Sequence, residues 1–151
     1  MRLGARFASP ALPVVADTFP DRRGPLAGIL AAMRWCVSNT SEVRFVATAP
    51  ADAPFLPTDL VERLTAAAEG GIAVAASLGR IHPVFGVFPV AFADRLEEHL
   101  RSASSLAVVD WLATEKVATV AFAGNPDPFL NINTPEDLLA AEAIAVPPAR
   151  P

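Results

Sequence analysis

Apolar residues along this chain alternate between short runs typical of buried strands and longer segments typical of helices. Five short apolar runs predict strands over 12–16, 43–48, 72–77, 84–90 and 117–122. Five longer segments predict helices over 26–37, 59–68, 93–102, 107–114 and 135–144. Strands and helices in this order indicate an α/β fold of three layers, in which helices cover both faces of a mostly parallel sheet.

One predicted connection is too short to contain a crossover helix. Little more than a turn at Leu78, Gly79 and Arg80 separates the strand at 72–77 from the strand at 84–90. These two strands are therefore expected to be antiparallel neighbours. No repeat or linker divides the chain, so residues 1–151 are predicted to form a single domain with a frayed tail over 145–151.

Composition limits the classes of function that the chain can have. Apolar residues make up 52% of its 151 residues and charged residues 19%, which is typical of a globular domain. The net charge of −4, without any basic run, argues against a nucleic-acid surface. Cys36 is the only cysteine, so neither a disulfide nor a cysteine-based zinc site can form within the chain. No apolar stretch is long enough to span a membrane, and a cytoplasmic location is the default expectation.

The loop after the strand at 43–48 carries a single acid, Asp52, between Pro50 and Pro54. Open α/β sheets bind ligands beyond the carboxyl ends of their strands, and a carboxylate suits Mg²⁺ on a nucleotide phosphate. Asp is also a common cap of a turn or of a following helix. The residues alone leave both roles open.

A second candidate region lies where the first predicted helix begins, at Gly24 and Pro25. Glycine lets a backbone approach a ligand closely, and a helix N-terminus favours anionic groups. Asp21 lies just ahead of this turn, and the alternative is that Gly28 only permits close packing on the sheet. The sequence contains no G-x-x-x-x-G-K-[ST] loop and no G-x-G-x-x-G turn, and Lys116 is its only lysine. A self-sufficient phosphate-binding loop is therefore not visible.

Polar residues in two later segments are further candidates. His82 lies in the turn region before the strand at 84–90, where histidine is also common as a partly buried turn residue. Asn131 and Asn133 precede the last helix, where asparagine also commonly satisfies backbone groups. Thr134 and Asp137 have the spacing of a capping box at the start of that helix.

Five motifs, taken in order, resemble those of one family. They are LPVVAD at 12–17, DRRGPLAG at 21–28, PADAPF at 50–55, GRIHPVFG at 79–86 and NINTPEDL at 131–138. Together they resemble the molybdenum cofactor guanylyltransferases, also called molybdopterin-guanine dinucleotide synthases, over about residues 10–143. The resemblance implies a fold similar to that of the nucleotide-diphospho-sugar transferases.

The resemblance also implies an activity. Such an enzyme transfers GMP from Mg²⁺-GTP to the molybdopterin-bound molybdenum cofactor, and gives the guanine dinucleotide cofactor and pyrophosphate. Asp52 is implied as the catalytic ligand of Mg²⁺ and GTP, with Asp21 and Gly24 against GTP. The residues implied on the pterin side are Arg80, His82, Asn131 and Asn133. In such chemistry the protein mainly positions two anionic substrates, so no side-chain nucleophile is needed.

The chain differs from the family at its start. The family carries a Gly-Gly-x-Ser-x-Arg-Met-Gly loop followed by a lysine, and this chain begins after that unit. We therefore expect an N-terminally truncated sequence that lacks the first βα unit, binds GTP weakly and turns over little. Two alternatives stay open: a non-catalytic molybdopterin-binding or carrier module, and a related nucleotidyltransferase that uses CTP. Molybdoenzyme apoproteins or cofactor-insertion proteins are implied as further partners.

Overall fold

The structure is a computed structural model that describes residues 13–19, 24–102 and 105–145. Its helices are α1 Gly24–Asn39, α2 Leu60–Ala68, α3 Ala93–Ser102, α4 Val108–Leu112 and α5 Pro135–Ala145. Its strands are β1 Phe45–Thr48, β2 Ile72–Ser77, β3 Arg80–Pro89 and β4 Val117–Ala121. Except for β3, these elements begin and end within about two residues of their predicted positions.

The strands form one sheet within the described ranges, in the order β1-β3-β2-β4. Strand β3 is antiparallel to both β1 and β2, whereas β2 is parallel to β4. Strands β1, β2 and β4 therefore run in one direction, and β3 is the exception. The prediction of a mostly parallel sheet with one antiparallel strand is confirmed.

Each face of the sheet has its own hydrophobic core, because successive side chains of a strand point to opposite faces. One core joins Ile72 and Val74 of β2 to helices α1, α3 and α4. The other joins Ala73 and Ala75 of β2 to α2 and to aromatic residues after β4. The fold is thus the predicted three-layer α/β arrangement. None of the helices in the described ranges combines the length and the apolar character that crossing a membrane would require.

The prediction of a strand at 12–16 is wrong for the residues that the structure describes. Residues 13–17 are not in a strand, and Val14 and Val15 are 57% and 41% exposed. An apolar run becomes a strand only where the edge of a neighbouring strand pairs with its backbone groups, and these residues pair with none of the described strands. Leu12, Asp21 and the predicted tail beyond Ala145 lie outside the described residues.

A tight turn at Leu78 and Gly79 connects β2 to β3. Both residues have positive φ, 47° and 75°, as in a type I′ hairpin turn. Glycine adopts this conformation freely, whereas leucine does so at a cost in free energy. The turn pairs Ser77 with Arg80, so β3 begins immediately after the turn and before the predicted start at residue 84.

Strand β3 continues through Pro83 because its register against β2 changes there. Val74 pairs with Gly86, but the next residue of β2, Ala75, pairs with His82. The residues between His82 and Gly86 therefore form an irregular bulge. Proline is tolerated at a bulge because the ladder does not need its missing N–H, and this is why the sequence suggested a later strand start.

Two contacts fix the bulge in place. The Thr48 hydroxyl at the end of β1 donates a 2.7 Å hydrogen bond to the carbonyl of Val84. Gly86 lies so close to β2 that a Cβ atom at this position would be 2.9 Å from the carbonyl oxygen of Ala73. A side chain at Gly86 would push the two strands apart, so the bulge depends on glycine there.

The variant Leu78→Asn should be more stable than the wild type. Asparagine tolerates a positive φ, and the Leu78 side chain is 80% exposed, so little packing is lost. We expect the free energy of unfolding to rise by up to about 1 kcal/mol, as measured by urea denaturation. Leu78→Ala is the matched control, because it removes the same side chain, and alanine tolerates a positive φ no better than leucine does. Equal stability of the two variants would contradict this account.

Candidate active site

The first of two adjoining cavities lies between the start of α1 and the loop after β1, and it has a volume of about 340 Å³. Its lining residues are Pro25, Gly28, Ile29, Thr48, Ala49, Pro50 and Val84. Most of these side chains are apolar. The helix start and the proline-containing loop that the sequence singled out therefore converge on one cavity.

The two glycines at the start of α1 have different surroundings. Gly24 has a φ of 65°, a conformation that favours glycine. Among the described residues, a Cβ atom at Gly28 would meet only the Asp17 carboxylate, at 4.0 Å, which is ordinary van der Waals contact. Close packing on the sheet therefore does not explain Gly28, and its small size keeps the wall of the cavity open.

Asp52 lies half-buried in the turn after β1. Its Oδ1 atom is buried and has no hydrogen-bond partner among the described residues, so the capping role that the sequence left open is not seen for this atom. Its neighbours Ala49 and Pro50 line the first cavity, but Asp52 itself is not among the lining residues. A buried carboxylate oxygen without a partner costs free energy, and a bound cation would offset that cost.

The backbone of Asp52 is tied to the segment that precedes α5. Its carbonyl accepts a 2.8 Å hydrogen bond from the N–H of Ile132. Ile132 lies between the candidate residues Asn131 and Asn133, so this bond brings the Asp52 loop and the two asparagines together. The sequence predicted both segments but not their contact.

The predicted capping box fixes the start of α5. The Thr134 hydroxyl accepts a hydrogen bond from the N–H of Asp137 at 3.1 Å. The Asp137 carboxylate accepts hydrogen bonds from the N–H groups of Asn133 and Thr134, both at 3.0 Å. These hydrogen bonds lower the pKa of Asp137, and the bond from the Asn133 N–H contributes most. The backbone of Asn133 is therefore anchored to the helix on one side and to the Asp52 loop on the other.

The second cavity lies between the first half of β3 and the segment at 127–133, and it has a volume of about 420 Å³. Its lining includes the four residues predicted for the pterin side, Arg80, His82, Asn131 and Asn133. Its other lining residues are Ile81, Pro83, Val84, Phe85, Asp127, Phe129 and Leu130. Because Val84 lines both cavities, the two lie side by side.

Two polar residues that the sequence did not single out, Ser77 and Asp127, belong to the second cavity or its wall. The Ser77 hydroxyl lies 2.8 Å from Nε2 of His82 and 2.7 Å from the Asp127 carboxylate. The same carboxylate oxygen accepts a 3.1 Å hydrogen bond from the N–H of Phe129. The His82 ring packs against Phe129, with centroids 4.8 Å apart. These contacts fix the orientation of the imidazole.

The positions of Ser77 and Asp127 relative to the strands could have identified them. Ser77 ends β2, Asp127 follows β4, and Asp52 follows β1. Strands that run in one direction bring their carboxyl ends to one edge of the sheet, where α/β proteins bind ligands. A search for polar residues after every such strand would have included Ser77 and Asp127.

The two titratable groups of this network have shifted pKa values. Burial lowers the pKa of His82, nearby Asp127 opposes that effect, and Arg80 adds to it. For Asp127, burial acts to raise the pKa, but hydrogen bonds from Ser77 and from the Phe129 N–H, with the charges of His82 and Arg80, lower it overall. Near neutral pH, His82 is therefore mainly uncharged and Asp127 is ionised.

Asp52 can bind a metal ion only if a bound nucleotide supplies further ligands to that ion. No group of three or more His, Cys, Asp or Glu side chains within the described ranges is placed to bind a metal. The unpartnered Oδ1 of Asp52 is one hard oxygen donor. Mg²⁺ is commonly held by one or two carboxylates together with substrate phosphates and water. The donor set is therefore suited to Mg²⁺ that arrives with a nucleotide.

Comparison with known proteins decides the family. Residues 2–117 match the family described as the MobA-like NTP transferase domain. The chain belongs to this family. The resemblance deduced from the five motifs is confirmed by many curated relatives named molybdenum cofactor guanylyltransferase.

Two of these relatives illustrate the match. The protein of Rhizobium rhizogenes is 48% identical over 139 residues, which cover 87% of this chain and 64% of the relative. The protein of Rhizobium johnstonii is 46% identical over 148 residues, which cover 93% of this chain and 70% of the relative. The chain thus spans about two thirds of the length of these relatives.

Solved structures confirm the predicted fold. Molybdopterin-guanine dinucleotide biosynthesis protein A from Archaeoglobus fulgidus matches with a TM-score of 0.63 and 25% identity, over 80% of this chain and 62% of that one. A protein from Aquifex aeolicus matches with a TM-score of 0.66 and 20% identity, over 81% of this chain and 62% of that one. The second match shows the fold alone.

The stability of the protein should depend on the protonation of His82. Because the folded state lowers the His82 pKa below the ordinary value of 6.5, the unfolded chain binds a proton first as pH falls. The contribution of His82 to the free energy of unfolding is therefore fully present above pH 6.5 and is lost as pH falls through the folded pKa. His82→Gln should reduce this decrease in urea unfolding experiments run at a series of pH values.

The control for this prediction is His99→Gln, which removes the other histidine of the chain, located on α3. His99→Gln should keep the part of the pH dependence that His82→Gln removes. An equally steep decrease in His82→Gln and in the wild type would contradict the assignment to His82.

Proposed function

We propose that this domain transfers GMP from Mg²⁺-GTP to the molybdopterin-bound molybdenum cofactor, with the guanine dinucleotide cofactor and pyrophosphate as products. Membership of the MobA-like family and the names of its relatives support nucleotidyl transfer. The observation that carries the proposal is the pair of adjoining cavities that share Val84. Two substrates that react with each other need neighbouring sites that hold the reacting atoms close together.

GTP occupies the first cavity in this proposal. The apolar walls formed by α1 and by the loop at Pro50 suit the base and ribose, and Gly28 leaves room for them. The N-terminus of α1 at Gly24 suits a phosphate group, because its N–H groups carry partial positive charge. Asp21 remains a proposed GTP contact from the motif alone.

Molybdopterin occupies the second cavity. Arg80 at its rim supplies a positive charge for the terminal phosphate of the pterin. His82, Asn131 and Asn133 supply hydrogen-bonding groups for the heterocycle. The cavity therefore offers one cation and several neutral polar groups, which suits a polar ring system that carries one phosphate. It also contains the Asp127 carboxylate, whose Oδ1 already accepts hydrogen bonds from Ser77 and the Phe129 N–H.

The protein positions the reactants and supplies no nucleophile of its own. An oxygen of the molybdopterin phosphate forms a bond to the α-phosphorus of GTP, and the bond from that phosphorus to the pyrophosphate oxygen breaks. The Asp52 carboxylate would hold Mg²⁺, and the bound ion would neutralise charge on the phosphates. The hydrogen bond between Ile132 and Asp52 keeps this carboxylate next to the segment that carries the two asparagines.

The affinity of this chain for GTP is expected to be weak. Phosphate-binding loops combine glycine-rich backbone with a lysine, and the sequence contains no such motif. Its single lysine, Lys116, lies 3.1 Å from the Glu69 carboxylate in a surface ion pair. Little turnover by this chain is therefore part of the proposal.

The two alternatives lead to different results. A non-catalytic molybdopterin-binding or carrier module would bind molybdopterin whether or not Asp52 is present, and would not bind GTP. A nucleotidyltransferase that uses CTP would bind CTP at least as tightly as GTP. The further partners, molybdoenzyme apoproteins or cofactor-insertion proteins, and the cytoplasmic location stay predictions.

Asp52→Asn should weaken nucleotide binding without lowering the stability of the protein. The variant keeps the shape of the side chain but loses the charge, so the affinity for GTP in the presence of Mg²⁺ should fall by roughly 10-fold or more. Its free energy of unfolding should be equal to or higher than that of the wild type, because the buried Oδ1 makes no hydrogen bond within the described ranges that the variant would lose. Titration calorimetry at high nucleotide concentration and urea denaturation measure the two effects.

The matched control is Asp59→Asn, which removes an exposed acid just before α2. It should leave GTP affinity unchanged. Binding of GTP that needs neither Mg²⁺ nor Asp52, or a preference for CTP, would contradict the proposed function. Tight GTP binding would contradict only the expected weak affinity.

A further inference from the structure

Ser77, His82 and Asp127 form a chain of hydrogen bonds at the wall of the second cavity. The Ser77 hydroxyl stands in the middle, 2.8 Å from Nε2 of His82 and 2.7 Å from the Asp127 carboxylate. Ser77 is 3% exposed and is the one buried polar residue, by whole-residue exposure, among the described residues. Its position is therefore fixed by the surrounding sheet, and the two bonds are held in a definite geometry.

The chemistry of Ser77, His82 and Asp127 fixes which group donates in each hydrogen bond. An ionised carboxylate can only accept hydrogen bonds, and Asp127 already accepts one from the N–H of Phe129. The single Ser77 proton therefore points to Asp127. The Ser77 oxygen must then accept its other bond from His82, so the imidazole carries a proton on Nε2.

The other ring nitrogen of His82 is left free. Nδ1 has no hydrogen-bond partner among the described residues, and it is not among their fully buried, unpaired polar atoms. Nδ1 is therefore not fully buried, and because His82 lines the second cavity, a molecule bound there can approach it. A neutral imidazole with its proton on Nε2 offers Nδ1 as a hydrogen-bond acceptor.

We infer that Ser77 and Asp127 are positioning residues that hold His82 with its proton on Nε2, so that Nδ1 accepts a hydrogen bond from an N–H donor of the bound heterocycle. This inference rests on the proposed function for the identity of that heterocycle, a pterin. Neither residue needs to touch the substrate. Their effect passes through the orientation and tautomer of one ring.

The charged groups around His82 favour this arrangement. They are Arg80 from its own strand and Asp127 from the loop after β4, whereas β2 contributes only the uncharged Ser77. Burial and Arg80 disfavour a second proton on the ring, and Asp127 alone attracts one. Phe85 and Phe129 face the ring with apolar groups. Nδ1 therefore remains an acceptor near neutral pH and becomes a donor only in acid.

Nuclear magnetic resonance of histidine labelled with ¹⁵N tests the inference on the protein without ligand. The chain has two histidines, so His99→Gln assigns the His82 signals. The wild type should show a protonated Nε2 and an unprotonated Nδ1. Ser77→Ala should give a mixture of tautomers, and Ser77→Thr, which keeps the hydroxyl, should restore the wild-type pattern. Asp127→Asn should lower the His82 pKa, because the attraction of its charge for the imidazolium is lost.

A binding experiment tests the consequence for the ligand, with molybdopterin as the probe under anaerobic conditions. Ser77→Ala should bind molybdopterin roughly 3- to 10-fold more weakly than the wild type, as expected for one misdirected hydrogen bond, and Ser77→Thr should recover most of the affinity. GTP affinity should be the same in all three proteins. Wild-type affinity for molybdopterin should also fall as pH is lowered through the His82 pKa.

The outcomes separate this inference from the proposed function. A wild-type His82 with its proton on Nδ1, or a tautomer that Ser77→Ala leaves unchanged, would overturn the positioning chain. Unchanged molybdopterin affinity in Ser77→Ala would overturn its role toward the ligand, as would a wild type that does not bind molybdopterin. If the tautomer is as expected but GTP binding needs neither Mg²⁺ nor Asp52, the proposed function fails and the positioning of His82 stands.

Discussion

The change of register within β3 is the constraint on which the candidate site depends. A regular ladder after the pair of Val74 and Gly86 would place Phe85 opposite Ala75, but the bulge places His82 there. This shift brings the imidazole within hydrogen-bond distance of the last residue of β2. It also lets Val84, inside the bulge, line both cavities. A single irregularity, next to the close approach of β2 that Gly86 allows, thus builds the wall that the two cavities share.

Backbone contacts hold the Asp52 loop and the segment of the two asparagines in place. The carbonyl of Asp52 is held by Ile132, and the capping box of α5 holds the backbone of Asn133. The Asp52 carboxylate, in contrast, has a buried oxygen with no hydrogen-bond partner in the described part of the chain. Such an arrangement costs stability in the free protein and is typical of a group that is satisfied only when a ligand is bound. The rigid backbone around it keeps that ligand group in place.

Much of the fold could be predicted from the sequence because most elements carry their own signals. The turn at Glu69 and Gly70, both with positive φ, ends α2, and the pair Thr134 and Pro135 starts α5, each through local chemistry. The exceptions are informative. The run at 12–16 has the composition of a strand, but residues 13–17 pair with no described strand. Pro83 suggested a later strand start, although the bulge accommodates it within β3.

The sequence by itself determined the α/β class, the antiparallel hairpin, and the motifs that carry Asp52, Arg80, His82 and the two asparagines, because periodicity and turn chemistry are local properties. Only the tertiary structure decided that these segments surround two cavities with a common wall. Ser77 and Asp127 lie far apart in the chain and meet only because β2 pairs with β4. Strand pairing between distant segments depends on the packing of the whole core, so the network around His82 could not be deduced from the order of residues.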